Sequence, residues 1–314
     1  MIARHPILLA ILLLLASCSR TEPQKGEEAI TSHTQPREGA ARVAGDTIRV
    51  AAVQIRGVPG NLGENFAKGE RLIRAAAAEG ARYIILPELY GFFPEAGASK
   101  TVEEVRAKGE PVPGSLTDRM VALATELDVN IGFGMIEREG DKAFNTAAFV
   151  EPGGVAGVYS KRVLITHEAV ARVTAKMRGQ ELPVDHKLPE TPDERACFDQ
   201  GERDGMIDWG GVRIGVLICA DVGQLGWWRE HAAQGAQLMC NLNCNSGRAN
   251  PDCPTNPDMA RELGVPVLES NHIPSGAFFI GNSMIVDRDG TTVAAAPAQP
   301  DIFVIGDLTL APRR

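Results

Sequence analysis

The stretch from Thr47 to Leu89 restricts the fold more than any other part of the chain. TIRVAAVQI (47–55) is rich in Val, Ile and Ala and reads as a buried strand. The alanine-rich segment that follows, from about Gly63 to Glu79, has the apolar spacing of a helix, and Gly80 stops it. ARYIILPEL (81–89) is a second apolar strand, cut by Pro87. Strand, helix and strand in this order place helices outside a sheet.

The rest of the chain extends that layering. Ser115 caps a helix to about Leu127, and VNIGFGMIE is a third strand. AFNTAAFV and VAGVYS flank a PGG turn, the signal of a hairpin. GVRIGVLICA, the helix QLGWWREHAAQG and the strand AQLMCNLN come next, then a helix near Pro257 to Leu263 and the strand VPVLESN. FFIGNSMIVD, TTVAAAP and IFVIGDL close the chain as short strands. This is an α/β fold with mixed sheets and helices outside. Residues 169–196 are polar, charged and Pro-bearing, and read as an inserted surface loop. Neither a GxGxxG nor a GxxxxGK[ST] phosphate loop occurs. With 314 residues the chain can bury a large core unaided, and its net charge of -8 argues against a nucleic-acid surface.

The N-terminus is different in kind. Arg4 and His5 precede the apolar run ILLAILLLLA, and small residues follow. A run of about ten residues makes a helix of roughly 15 Å, half the thickness of a hydrocarbon layer. It therefore reads as an export signal that is removed, rather than as a spanning helix. Leu15, Ala16, Ser17 and Cys18 resemble the lipobox of bacterial lipoproteins. That resemblance implies residues 1–18 as a signal peptide, lipid on Cys18, and a membrane anchor of two or more acyl chains. Ser19 in the next position favours the outer membrane in a Gram-negative host, so the implied location is the cell envelope. Residues 19–46 have few large apolar side chains and read as a disordered tether. Folded sequence is expected to begin near Thr47.

Of the six cysteines, Cys197, Cys219, Cys240, Cys244 and Cys253 follow the lipobox. Their odd number leaves at least one unpaired within the chain. Spacing alone does not fix the state of Cys197, Cys240, Cys244 and Cys253. A zinc site is weakly signalled, since no tight Cys-x-x-Cys or nearby histidine accompanies them.

Three reactive residues stand at strand ends: Glu88 after YIILP, Lys161 after GVYS and Cys219 after RIGVLI. Sites in α/β sheets gather at the carboxyl ends of strands. A thiol there can attack a carbonyl, a carboxylate can take its proton, and an ammonium can hold the oxyanion. Cys219 also precedes a helical stretch, whose N-terminus would favour the thiolate.

Taken together, ILPELYGFFP, VYSKRVL and GVRIGVLICADVG resemble the glutamate, lysine and cysteine motifs of the carbon-nitrogen hydrolase (nitrilase) superfamily. REHAAQGAQLM, ARELGVPVLESN and FFIGNSMIVDRDGT resemble later parts of the same family, so the likeness runs over residues 47–312 as one domain. It implies a four-layer α-β-β-α sandwich, no cofactor and no metal. It also implies a small amide or ureido (N-carbamoyl) substrate, and a homodimer or higher homo-oligomer. The implied roles are Cys219 as nucleophile, Glu88 as general base, and Lys161 with the Ala220 N–H as oxyanion donors. A second glutamate in the family orients the lysine and water. Glu194, seven residues before Gly201 in ERACFDQG, is preferred to its rival Glu168 in THEAV.

The chain departs from the family just after the nucleophile. Ala220 replaces a common aromatic or Asn, and VGQLGWW replaces a segment ending in FPE. A nitrilase would show Trp-Glu after the cysteine, so an amide or ureido substrate is favoured over a nitrile. Trp227 and Trp228 are candidates to line the pocket or to pack elsewhere. Asn243 and Asn245 are candidates for a pocket or a turn, and His272 reads as structural. Two other classes fit the residues: an acyltransferase on the same triad, and a tethered binding protein without catalysis.

Overall fold

The computed structural model describes residues 32–33, 46–58, 61–92, 101–177, 180–190, 192–244, 254–273 and 281–313. The signal-like segment with Cys18, most of the tether, Asn245 and Cys253 lie outside the described residues.

The strands are β1 (Ser32–His33), β2 (Thr47–Ile55), β3 (Tyr83–Ile85), β4 (Asn130–Glu139), β5 (Lys142–Glu151), β6 (Gly154–Ser160) and β7 (Met206–Trp209). They continue as β8 (Val212–Ile218), β9 (Leu238–Asn243), β10 (Val267–His272), β11 (Met284–Val286), β12 (Thr292–Ala295) and β13 (Ile302–Thr309). The helices are α1 (Leu62–Ala78), α2 (Val102–Arg106), α3 (Ser115–Leu127), α4 (His167–Met177), α5 (Glu194–Cys197), α6 (Leu225–Ala233) and α7 (Asn256–Leu263). The central hydrogen-bonded order is β6-β5-β4-β3-β2-β10-β9-β8-β7, and β13 pairs antiparallel with β2 beside this path. The end strands β6 and β7 lie against each other, so the sheet nearly closes on itself.

Side-chain alternation shows why the molecule has four layers. On β2, Ala51, Val53 and Ile55 join a core with Leu72 and Ile73 of α1 and Leu123 of α3. Val50 and Ala52, pointing the other way, join a core with Trp209, Ile214 and Val216 from the opposite half of the sheet. On that half, Leu217, Met239 and Val267 pack with Trp228 of α6 and Met259 of α7. The order from one surface to the other is helix, sheet, sheet, helix. Each inner strand is buried on both faces, which is why these strands read as nearly continuous apolar runs.

Two local expectations change. The segment 169–196 is not all loop: α4 occupies its first part and α5 its end. Val170, Val173 and Met177 recur at helical spacing along α4, a pattern that the charged and Pro-bearing remainder of the segment hides. And Cys219 does not stand at an α-helix N-terminus. It opens a 3-10 turn, Cys219–Gly223, and α6 begins only at Leu225.

Candidate active site

Glu88 follows β3 in the loop after Pro87. Gly134 on β4 lies directly beneath it: a Cβ at Gly134 would come within 2.2 Å of Leu89 N and 2.6 Å of Glu88 C. His272, the last residue of β10, bonds the Glu88 backbone oxygen through Nε2 at 2.7 Å. This histidine is structural, as its sequence position suggested.

Lys161 is the residue after β6. Its backbone N–H donates to Asn145 O at 2.8 Å, and its carbonyl accepts from Gly201 N at 2.9 Å. Gly201 must be glycine for that approach, because a Cβ there would fall 2.0 Å from Ser160 O. This contact gives the Glu194–Gly201 spacing its physical reason: the segment carrying Glu194 docks on the lysine backbone.

The side chains converge. Lys161 Nζ donates to Glu88 Oε1 at 2.8 Å and to Glu194 Oε1 and Oε2 at 2.7 and 2.9 Å. Lys161 and Glu88 are each 1% exposed and Glu194 13%, so these ion pairs have little water to screen them. Burial opposes charge on Lys161, but Cys219, Glu88 and Glu194 around it hold the ammonium well above its ordinary pKa. Burial likewise pushes Glu88 up. The Lys161 charge and bonds from Cys244, Lys161 and Asn145 overcome it and hold Glu88 below the usual carboxylate range.

Cys219 lies across from them, at the end of β8. Its φ is +48°, the left-handed region that a non-glycine residue seldom adopts. Its backbone N–H donates to Asn243 Oδ1 at 2.8 Å, which pins the turn. Ala220 follows within the 3-10 turn and is half-buried. The ligand-type atoms of Glu88, Cys219 and Cys244 all lie within 4.8 Å of one another.

Glu168, the rival second glutamate, is not brought to the site. It is exposed on α4 and pairs with Arg172 at 2.6 Å, a local i,i+4 contact. Trp228 is core and donates Nε1–H to Val222 O at 2.8 Å. Trp227 lies under the Arg162 guanidinium, 3.9 Å from its ring centroid. Ser283 serves the fold, its hydroxyl accepting from Asn271 N at 2.9 Å.

Three contributors escaped the sequence reading. Asn145 donates Nδ2–H to Glu88 Oε1 at 2.7 Å and to Glu194 Oε1 at 2.9 Å, tying the two carboxylates together. The available signal was an Asn inside the apolar strand AFNTAAFV. Asp221 accepts from Val163 N, Arg162 N, Ile218 N and the Tyr159 hydroxyl at 2.8 to 3.2 Å, so it clamps the lysine loop to the cysteine turn. Cys244 is the third, and only its nearness to Cys219 in space marks it.

Such a cluster offers a thiol beside an ionised carboxylate and a permanent ammonium. That is the equipment for acyl transfer through sulfur.

Comparison with known proteins agrees with this equipment. The family described as carbon-nitrogen hydrolase matches residues 49–313, and the chain belongs to that family. It is similar to a nitrilase from Pyrococcus abyssi, 25% identical over 274 residues, covering 84% of this chain and 90% of the relative. It is also similar to an (R)-stereoselective amidase from a Pseudomonas species, 25% identical over 256 residues, covering 79% and 81%. Two structures of an amidase from a Nesterenkonia species each align with a TM-score of 0.65, at 24% and 23% identity. They cover 85% and 86% of this chain and 92% and 94% of theirs. One of these is a variant carrying the acetamide moiety of fluoroacetamide on its active-site cysteine. The chain is thus an enzyme of the carbon-nitrogen hydrolase class, acting on C–N bonds other than peptide bonds.

Proposed function

We propose that this protein hydrolyses a small amide or N-carbamoyl compound through a thioester on Cys219. One observation carries the reading: a buried lysine bonded to two carboxylates, one of which lies within 4.8 Å of the candidate nucleophile. Glu88 takes the thiol proton as the sulfur attacks the carbonyl carbon. Lys161 and the Ala220 N–H receive the charge that develops on the carbonyl oxygen. Collapse breaks the C–N bond, and Glu88 returns its proton to the leaving nitrogen, which departs as ammonia or an amine. Water then attacks the thioester carbon while Glu88 takes its proton, the C–S bond breaks, and Glu88 returns the proton to the Cys219 sulfur as the acid is released. Glu194 and Asn145 hold Lys161 and Glu88 in place throughout.

Amide substrates are favoured over nitriles by the chain's lack of Trp-Glu after the cysteine, and by amidases among its relatives. The test is ammonia release from a panel of aliphatic amides, ureido acids and nitriles, with intact mass to trap the acyl-enzyme. Turnover of nitriles alone would overturn the substrate reading, and activity retained in Cys219→Ala would overturn the mechanism. Formation of a hydroxamate or N-acyl product with an added amine, in place of free acid, would mark an acyltransferase.

We further infer a lipid anchor on Cys18, a place in the bacterial cell envelope, and assembly as a homodimer or larger homo-oligomer. The signal-like N-terminus supports the first two. Membrane fractions should lose the protein in Cys18→Ala. Sedimentation of the purified chain reads the assembly, and a monomer at micromolar concentration would refute it.

A further inference from the structure

We propose that Cys219 and Cys244 close into a reversible disulfide when the site meets a peroxide, and that this bond switches the enzyme off and shields its nucleophile. Hydrolysis as described above makes no use of the Cys244 thiol. Yet Cys244 follows directly on β9, the strand paired in parallel with β8, and Ile218 opposite Leu242 sets the two cysteines just beyond that pairing. Cys244 lies one position past the residue opposite Cys219, and the two sulfurs are within 4.8 Å of each other, so a side-chain approach closes the gap.

Both thiols are free in the structure, and they face each other. The Cys244 thiol is held well above its ordinary pKa, first by its hydrogen bond to Cys219 and then by burial. Lys161 carries charge beside both sulfurs. That charge opposes a bound metal cation between the three groups, so the pair of sulfurs is set for oxidation rather than for metal capture. Among the described residues Cys197 and Cys240 belong to no such cluster: Cys240 lies in the core between the sheets, and Cys197 ends α5, which packs against α2.

The chemistry balances with hydrogen peroxide as oxidant. Glu88 takes the Cys219 proton, the thiolate attacks one peroxide oxygen, the S–O bond forms, the O–O bond breaks, and the leaving hydroxide takes that proton as water. The Cys244 sulfur then attacks the sulfenic sulfur. The S–S bond forms, the S–O bond breaks, and the released hydroxide takes the Cys244 proton as water. Two thiols give up two electrons in all, and one peroxide becomes two waters. Without Cys244, the sulfenic acid would meet further peroxide and advance to sulfinic acid, which dithiothreitol does not reverse.

The experiment treats the reduced full chain with a few equivalents of hydrogen peroxide and reads both mass and activity. Expected are a mass loss of about 2 Da, a peptide map that joins the Cys219 and Cys244 peptides, and loss of iodoacetamide labelling at both. Dithiothreitol should restore the hydrolytic rate at least roughly tenfold from the oxidised level. In Cys244→Ser, judged against its own untreated rate, peroxide should add oxygen to Cys219 and dithiothreitol should fail to restore it. Three results would each overturn the proposal: Cys219 driven to sulfinic acid in the unaltered chain while Cys244 stays reduced, a bond from Cys244 to Cys253 in place of Cys219, or full recovery of Cys244→Ser. The map and labelling need no substrate, so a failure of the amidase reading would not be mistaken for a failure of the switch.

Discussion

Lys161 is surrounded by groups that only make sense around a cation. Replacing it with Met would leave Glu88 and Glu194 facing each other across an apolar side chain at 1% and 13% exposure. Breaking a buried ion pair from one side costs about 3–5 kcal/mol, so Lys161→Met should lower stability as well as activity. If Lys161 holds the oxyanion as proposed, its loss adds a drop of about 10²–10³ in kcat. Urea melts and steady-state rates together read both effects, and an inactive variant of unchanged stability would contradict the ion-pair geometry. Asn145 is a subtler case. Asn145→Ala removes two hydrogen bonds from the carboxylates without removing charge. Leaving a buried acceptor short costs about 1–3 kcal/mol, roughly 5- to 150-fold if the loss falls on kcat/KM. A kcat/KM within twofold of the unaltered enzyme would show that Asn145 only fills space.

The elements matter here through their ends. β3, β6 and β8 deliver Glu88, Lys161 and Cys219, and small local devices aim each one. Gly134→Ala would drive a methyl group into the backbone of Glu88 and Leu89. Overpacking of this kind costs about 1–3 kcal/mol, and the displaced carboxylate should lower kcat more than it raises KM. Unchanged kinetics in Gly134→Ala would mean that the strand yields instead of the loop. Asp221 joins the lysine loop to the cysteine turn, and burial raises its pKa from 3.8 to about 6. The sign follows from proton binding. Between about pH 4 and 6 the folded state holds a proton at Asp221 that the unfolded chain has released, so this residue's contribution to stability falls as pH rises through that window. The full effect is on the order of 3 kcal/mol. Thermal melts of Asp221→Asn should lack this descending component across pH 4 to 6, and parallel pH profiles for the two proteins would refute it.

Across the whole molecule, the site depends on two halves of one sheet coming together. Glu88 and Lys161 leave strands of the β2 to β6 half, and Cys219 leaves β8 in the other half. Trp209 locks the halves together. It is fully buried, donates Nε1–H to Val150 O at 2.9 Å, and meets Tyr83 and Phe149 edge to face at 5.2 and 5.0 Å. Trp209→Ala should cost about 3–5 kcal/mol, and its melting temperature should fall although the residue touches no reacting group. A melting temperature within a degree of the unaltered protein would show that the inter-sheet core does not carry this docking.

That Glu88, Lys161 and Cys219 stand at strand ends was legible in the sequence, because each follows an apolar strand within a motif of several residues and strand ends in α/β sheets collect sites. The layering was legible too, because doubly buried strands must be apolar throughout. The choice of Glu194 over Glu168 was not settled by spacing. The structure brings Glu194 to Lys161 through the docked Gly201 segment and leaves Glu168 on the surface of α4. The helix in residues 167–177 was hidden by the charge around it, and the helix expected directly after Cys219 gave way to a 3-10 turn. Asn145, Asp221 and Cys244 belong to the site only through contacts between residues distant in the chain, such as the 62 positions between Tyr159 and Asp221. The sequence alone determined which chemical groups stand at the strand ends, since local pattern sets strand and turn. Only the tertiary structure decided which groups meet, because long-range packing and buried charge select partners that no local pattern encodes.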